Sequence, residues 1–383
     1  MQLKGLISRA RRPRRHGAIG VELSLTQFNL VQLRKAGQEL AVGGFGSAPT
    51  GLPNAELFDR PEIFKRSLKQ ALAAGRFRGR RVVAAMPSSM VRVMPLTYQV
   101  GDGQSTDQAI VALMQERIGE GLADFVLDYL PVENKGSGRQ NLALVAMCRR
   151  ETVTRYLDLL RSCKLEVDCL EIGPIAIRRL VAHLQQQASS DNVLVVNCGR
   201  EKSYLTLVAG GRLLSDEQVE FGENTAVAHV AAVLKMDEAL AMQTIGDANL
   251  DPSSWGADPD LSGDAMLAEV LRPSLDGLVR EIQRALVFAS SESTGGARNE
   301  IYLLGSLARW PGCETYLSDL LHVPVRTVPN PFVGFRAAKG SQAKVPGMPE
   351  LAVATGLALY GLQSTEEAEH SRNPASSKVA SAA

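Results

Sequence analysis

The sequence is short of the features that mark several large protein classes. No run of about 18 uncharged apolar residues occurs in its 383 positions, so no helix that crosses a bilayer is expected. Cysteine is scarce: Cys148, Cys163, Cys169, Cys198 and Cys313 are odd in number, scattered, and never form a C-x-x-C pair. They read as small core residues of a reducing compartment. His16, His183, His229, His322 and His370 show no H-E-x-x-H or related spacing, which leaves a metal hydrolase without support. Charge of one sign is also missing, with 42 basic against 41 acidic residues and a net charge of +1. No whole-molecule field therefore draws nucleic acid or an acidic substrate.

The local exception is the start of the chain, where Lys4, Arg9, Arg11, Arg12, Arg14 and Arg15 crowd together. No apolar stretch of signal-peptide kind follows them. Leu3, Leu6 and Ile7 beside Lys4 and Arg9 permit a short amphipathic turn, so the arm is open to two readings. It is a solvated tail, or it is attracted to anionic lipid at about 1 kcal/mol per basic residue near the surface.

What remains is an ordinary globular composition, 45% apolar and 22% charged, on a chain longer than one core usually fills. Ala18–Leu23, Phe28–Leu33 and Glu39–Gly43 read as strands, separated by the polar turn Ser24–Gln27 and the turn Ala36–Gln38. Pro61–Ala74 has helical spacing, and Arg81–Met86 is a short buried strand. The same grammar returns in Asn192–Asn197, the turn Cys198–Lys202, Ser203–Val208, the Gly210-Gly211 hairpin, a helix over 225–235, a helix over Pro273–Ser290 and the strand Ile301–Leu304. Two related lobes follow. Between them, Gln108–Gly119 (helix), Phe125–Val132 and Asn141–Met147 (strands) and Thr152–Cys163 (helix) make a small inserted α/β unit. Asp247–Ser262 reads as a loop.

A phosphate cleft between two such lobes needs polar turns whose amides face phosphate oxygens, an acidic group to hold Mg²⁺ through water, and a glycine turn that admits a base. Gly20, Glu22, Ser24 and Thr26 supply the first turn, Asn197, Gly199 and Ser203 the second, and Gly305 and Ser306 the third. Each alone is merely a strand ending; their order carries the argument.

That order resembles the actin/Hsp70/FtsA superfamily (a ribonuclease H-like fold), and within it the PilM family of type IV pilus assembly proteins with its MSHA-biogenesis relatives. "AIGVELSLTQFNLVQL" is similar to the family's first phosphate motif and "VLVVNCGREKSYLTLVAGGRLL" to the second. "FGENTAVAHVAAVLKMDEALAMQ" resembles the Gly-x-Asn helix, here Gly222 and Asn224. "LVREIQRALVFASSE" with "IYLLGSLARWPGCETYLSDLLHVPVRTVPNPF" looks like the adenosine region, and "EIGPIAIRRLV" and "PELAVATGLALYGL" like the two interlobe helices.

The resemblance implies a two-lobed α/β protein with a small subdomain inserted in its first lobe. The expected division is a basic arm at 1–16, a first-lobe core at 17–94, the insert at 95–168, a connecting helix at 169–190, a second lobe at 191–345, a second connecting helix at 346–362 and a disordered tail at 363–383. It implies a cytoplasmic scaffold, peripheral at the inner membrane, that binds ATP or ADP with Mg²⁺. Glu281 and Arg284, three apart on one helix face, would then line the ribose and adenine; on spacing alone they are a solvated ion pair. Glu22 would hold Mg²⁺ through water. The implied partners are a PilN-like single-span membrane protein, docking its N-terminal peptide near the insert, and other pilus assembly components; nucleic acid is not among them.

Two departures bear on chemistry. Glu22 and Asn197 stand where the family usually has Asp, and an amide cannot serve as base or offset Mg²⁺ charge. Hydrolysis is therefore not expected. The rival readings are a sugar- or acid-kinase-like phosphotransferase and an FtsA-like filament protein, although the stretch after Leu362 has no apolar stripe for a membrane-binding helix. A GspL-like secretion component would need a membrane span.

Overall fold

The structure, a computed structural model, describes residues 16–37, 39–132, 141–185, 191–256, 262–292, 297–328, 331–332, 335 and 348–372, with side chains of the last helix described to Leu362. The basic arm and its possible lipid contact lie outside the described residues.

The first lobe is built on a sheet of β1 (His16–Leu23), β2 (Gln27–Ala36), β3 (Glu39–Pro49), β4 (Arg81–Met86) and β8 (Glu166–Ile172) in the order β3-β2-β1-β4-β8. The second sheet holds β9 (Asn192–Cys198), β10 (Ser203–Ala209), β11 (Arg212–Val219), β12 (Asn299–Gly305) and β13 (Val325–Thr327) in the order β11-β10-β9-β12-β13. In each sheet the first three strands of the lobe are antiparallel, and the last two join the central strand in parallel. The repeat read from the sequence is thus a repeat of topology.

Short strands rich in Val, Leu and Ile, buried on both faces, require layers above and below. In the first lobe α2 (Pro61–Ala74) supplies Phe64, Leu68 and Ala71, while α4 (Arg150–Ser162) supplies Tyr156, Leu159 and Leu160. Phe64 meets Phe28 edge-on at 5.0 Å and Tyr156 stacks on Phe58 at 5.4 Å. In the second lobe α6 (Glu223–Leu234), α7 (Glu238–Asp247), α8 (Gly263–Glu292) and α9 (Cys313–Leu321) enclose the largest core.

Two helices run between the lobes, α5 (Gly173–Gln185) and α10 (Ala352–Arg372). Their crossing is set by glycine: a Cβ on Gly356 would stand 2.0 Å from the Ala176 carbonyl oxygen, so no larger residue permits this approach. The crossing is pinned by Arg179, which pairs with both carboxylate oxygens of Glu171 at 2.8 and 3.0 Å and donates to the Gly356 carbonyl at 2.9 Å. Its guanidinium also lies over Tyr360, 4.9 Å from the ring centre.

Several boundaries differ from the expected ones. The inserted sheet, β5 (Arg92–Tyr98), β7 (Asn141–Arg149) and β6 (Phe125–Val132) in the order β5-β7-β6, begins at Arg92 and has its own core with α3 (Thr106–Ile118). Helix α4 and residues 166–168 of β8 belong to the first lobe rather than to an insert ending at 168. Residues 169–172 are strand, so the connecting helix begins at Gly173. Helix α8 starts ten residues before Pro273, because Leu267 and Leu271 continue the buried stripe of Leu275, Leu278 and Ile282 through the proline. The expected disordered tail from 363 is corrected as far as 372, since α10 continues to Arg372; residues 373–383 lie outside the described residues.

Candidate functional site

Parallel strands of both sheets end at one gap between the lobes, the position where α/β sheets usually present a ligand site. The gap is a cavity of about 370 Å³, and Glu22, Asn197 and Gly305 all line it. Three turns make its walls. At the end of β1 the Ser24 amide and hydroxyl both donate to the Gln27 carbonyl, at 3.0 Å each. After β9 the Gly199 amide closes the hairpin on the Lys202 carbonyl at 2.9 Å. After β12 the chain turns at Gly305 with φ +75°, and a Cβ there would meet the Cys198 carbonyl oxygen at 2.0 Å. The Ser306 amide then donates to that same carbonyl at 2.9 Å, locking the third turn to the second.

The expected site residues separate into two groups. Glu22, Ser24, Thr26, Asn197, Gly199, Gly305 and Ser306 line the cavity. Gly20, Ser203, Gly222, Asn224, Glu281 and Arg284 are not among the residues that line it. Gly20 instead makes room for α10, since a Cβ there would reach the Ala354 carbonyl oxygen at 2.1 Å. The Ser203 hydroxyl is buried and donates to Phe221 O at 2.8 Å. Gly222 packs on the backbone of Arg200 and Glu201, and the Asn224 amide donates to Arg200 O at 2.8 Å. With the Glu223 amide on Gly199 O at 2.9 Å, the first turn of α6 braces the hairpin, and Glu223 itself also lines the cavity. Glu281 and Arg284 form a surface ion-pair group in which Arg284 bridges Glu281 at 2.7 Å and Glu217 at 2.6 Å. That is the solvated pair expected from spacing alone.

The structure adds residues that sequence reasoning missed. Thr206 and Asp216 sit opposite each other on β10 and β11, with the Thr206 hydroxyl donating to Asp216 at 2.6 Å, and both line the cavity. Only cross-strand register reveals them, because Asp216 looks like any charged residue in a strand. Asn54, at the start of α1 (Asn54–Phe58), is 4% exposed and lines the same cavity with its Oδ1 unpartnered. A buried acceptor without a partner calls for a donor from water or ligand. Arg200 and Arg309 are the lining guanidinium groups, and Arg309 stands 3.5 Å from buried Glu223.

Burial dominates the electrostatics. Desolvation pushes the Glu22 carboxyl up to about 7, against a hydrogen bond from Asn29 Nδ2 at 3.0 Å that lowers it, with Glu350 adding to the rise. Asp216 is also pushed up to about 7 by desolvation, although its surface is only partly covered; the Thr206 hydrogen bond opposes the shift. Among the described residues no three His, Cys, Asp or Glu side chains converge closely enough to ligate a metal directly.

Two sheets of identical topology around a gap, crossed by paired helices and closed by a glycine turn, define an actin-like protein. The family profile described as type IV pilus assembly protein PilM matches residues 20–362, and the chain belongs to that family. Among solved structures, the PilM-PilN type IV pilus biogenesis complex contains a chain 24% identical, with a TM-score of 0.68 over 91% of this chain and 99% of that one. The ethanolamine utilization protein EutJ from Carboxydothermus hydrogenoformans is similar at 13% identity, with a TM-score of 0.50 over 91% of each chain.

Proposed function

We propose that this protein is a cytoplasmic scaffold of type IV, or MSHA-type, pilus biogenesis that holds an adenine nucleotide in its interlobe gap and docks the N-terminal peptide of a PilN-like inner-membrane protein. The observation that carries the nucleotide reading is the convergence of three turns, one from the first lobe and two from the second, on one cavity of about 370 Å³. Arg200 and Arg309 are there to meet phosphate charge. Four carboxylates, Glu22, Asp216, Glu223 and Glu350, line the same space, so a polyphosphate would enter with Mg²⁺ rather than alone. Asn197 gives a hydrogen-bonding amide where a carboxylate base would be needed, which favours binding over turnover.

The peptide reading rests on family membership and on the relative solved with PilN. A charged groove at the junction of the insert and α4, lined by Asp124, Arg149, Arg150, Glu151, Arg155 and Asp158, gives such a peptide a place beside the insert. Among the described residues no helix is long and apolar enough to cross a membrane, so attachment to the inner membrane would come through such a partner.

The direct test is calorimetry of the full chain with ATP, with and without Mg²⁺, and then with a PilN-like N-terminal peptide. Mg-dependent nucleotide binding and micromolar or tighter peptide binding are expected. Absence of both would leave the scaffold reading without support.

A further inference from the structure

The second lobe carries an apolar groove that the nucleotide and peptide readings do not use. It lies between α7 and the start of α8, at the far end of α6, and has a volume of about 650 Å³. Its walls are two facing stripes at helical spacing: Leu240, Thr244 and Asp247 on α7, and Gly263, Met266, Leu267 and Val270 on α8. Leu240 is 47% exposed and Met266 63%, and Leu234 at the groove's end is 41% exposed. Large side chains clustered this way on a surface mark a contact site. The charged residues among the lining are Asp247 and Asp264, both carboxylates. Two parallel stripes with i, i+3, i+4, i+7 anchors are the seat of a third helix, and the acidic lining asks that helix to be basic.

The chain contains one segment of that chemistry. In Met1–Arg15, the positions Leu3, Leu6, Ile7 and Ala10 follow the same i, i+3, i+4, i+7 spacing, which places four apolar side chains on one helix face. Lys4, Arg9, Arg11 and Arg12 fall outside that face, there is no acidic residue, and Pro13 ends the pattern. We propose that the basic N-terminal arm of one copy docks in the acidic apolar groove of α7 and α8 on a second copy. After Pro13 only two residues precede β1, a link of about 10 Å, and β1 belongs to the first lobe while the groove lies on the second. His16 is at the opposite end of β1 from Glu22, about 20 Å from the gap. An arm on one lobe and a groove on the other can pair reciprocally about a two-fold axis to close a dimer, or in one direction to build longer assemblies.

Sedimentation velocity of the full chain across a range of concentrations tests this. Concentration-dependent association is expected, weakening as salt rises because the ion pairs are screened. Arg9→Glu with Arg11→Glu and Arg12→Glu reverses the charge of the arm, and Asp247→Lys with Asp264→Lys reverses the groove. Each set is expected to weaken association by about tenfold or more, and a mixture of the two charge-reversed proteins is expected to recover it. A synthetic peptide of residues 1–12 is expected to compete. A monomer at all concentrations, association indifferent to either variant set, or an arm that binds anionic vesicles while groove variants leave association unchanged would each overturn the proposal.

Discussion

Leu25 from the first lobe touches Gly199 of the second: its Cδ1 lies 2.0 Å from where a Gly199 Cβ would stand. The turns that follow β1 and β9 therefore meet in van der Waals contact at the mouth of the gap. An added Cβ would also stand 2.7 Å from the Lys202 carbonyl oxygen, which is backbone and cannot swing aside. Gly199→Ala is expected to destabilise the protein by about 1–3 kcal/mol, measured by urea unfolding, and to weaken nucleotide binding. Leu25→Ala should leave stability within about 1 kcal/mol while opening the mouth.

Glu22 makes stability depend on pH in a direction opposite to that of a salt-bridged acid. Its carboxyl is raised from 4.5 to about 7 in the folded state. Between these values the folded chain binds the proton and the unfolded chain releases it, so stability falls as pH rises through this window and levels off above it. The cost at pH 8 is on the order of 3 kcal/mol. Glu22→Gln should reduce the slope of this part of the Tm-against-pH curve, the remainder coming from Asp216, and raise Tm at pH 8. A wild-type Tm that climbs from pH 5 to pH 7 would contradict the burial argument.

Asn197 presents an amide, not a carboxylate, to the gap. The wild-type protein is expected to turn over Mg-ATP very slowly, and Asn197→Asp to increase turnover by restoring a carboxylate beside Gly305. Rapid wild-type hydrolysis abolished by Asn197→Ala would place a catalytic role on the amide and contradict the scaffold reading. Phosphate release under single-turnover conditions reads the difference.

Gly356 and Arg179 hold the two interlobe helices together. Gly356→Val should destabilise by at least about 3 kcal/mol, because a backbone carbonyl occupies the space. Arg179→Ala leaves Glu171, whose side chain is 10% exposed, without its cation, and should cost about 3–5 kcal/mol. Arg179→Lys is expected to recover only part of this, since lysine cannot make the bidentate pair. Thermal denaturation of the three variants orders them.

Much of the fold was legible from the sequence because its signals are local. The branched run Val193–Val196, bounded by polar turns, reads as a buried strand, and Phe64, Leu68 and Ala71 fall on the buried face of a helix. β5 and β8 escaped notice for equally local reasons. Pro95 interrupts β5, which tolerates it as an edge strand, and β8 alternates Glu166, Asp168 and Glu171 with its apolar residues. Pro273 hid the first third of α8, whose buried stripe outweighs one lost hydrogen bond.

By itself the sequence determined two repeated lobes and the three turns at Glu22, Asn197 and Gly305, since strand endings and glycines are written residue by residue. Only the tertiary structure decided what else faces the gap. Thr206, Asp216 and Asn54 enter it through strand register and the packing of α1, while Ser203 and Arg284 are turned to structural partners. Whether a polar side chain meets a cavity, a carbonyl or solvent depends on neighbours distant in the chain, and no local pattern encodes that.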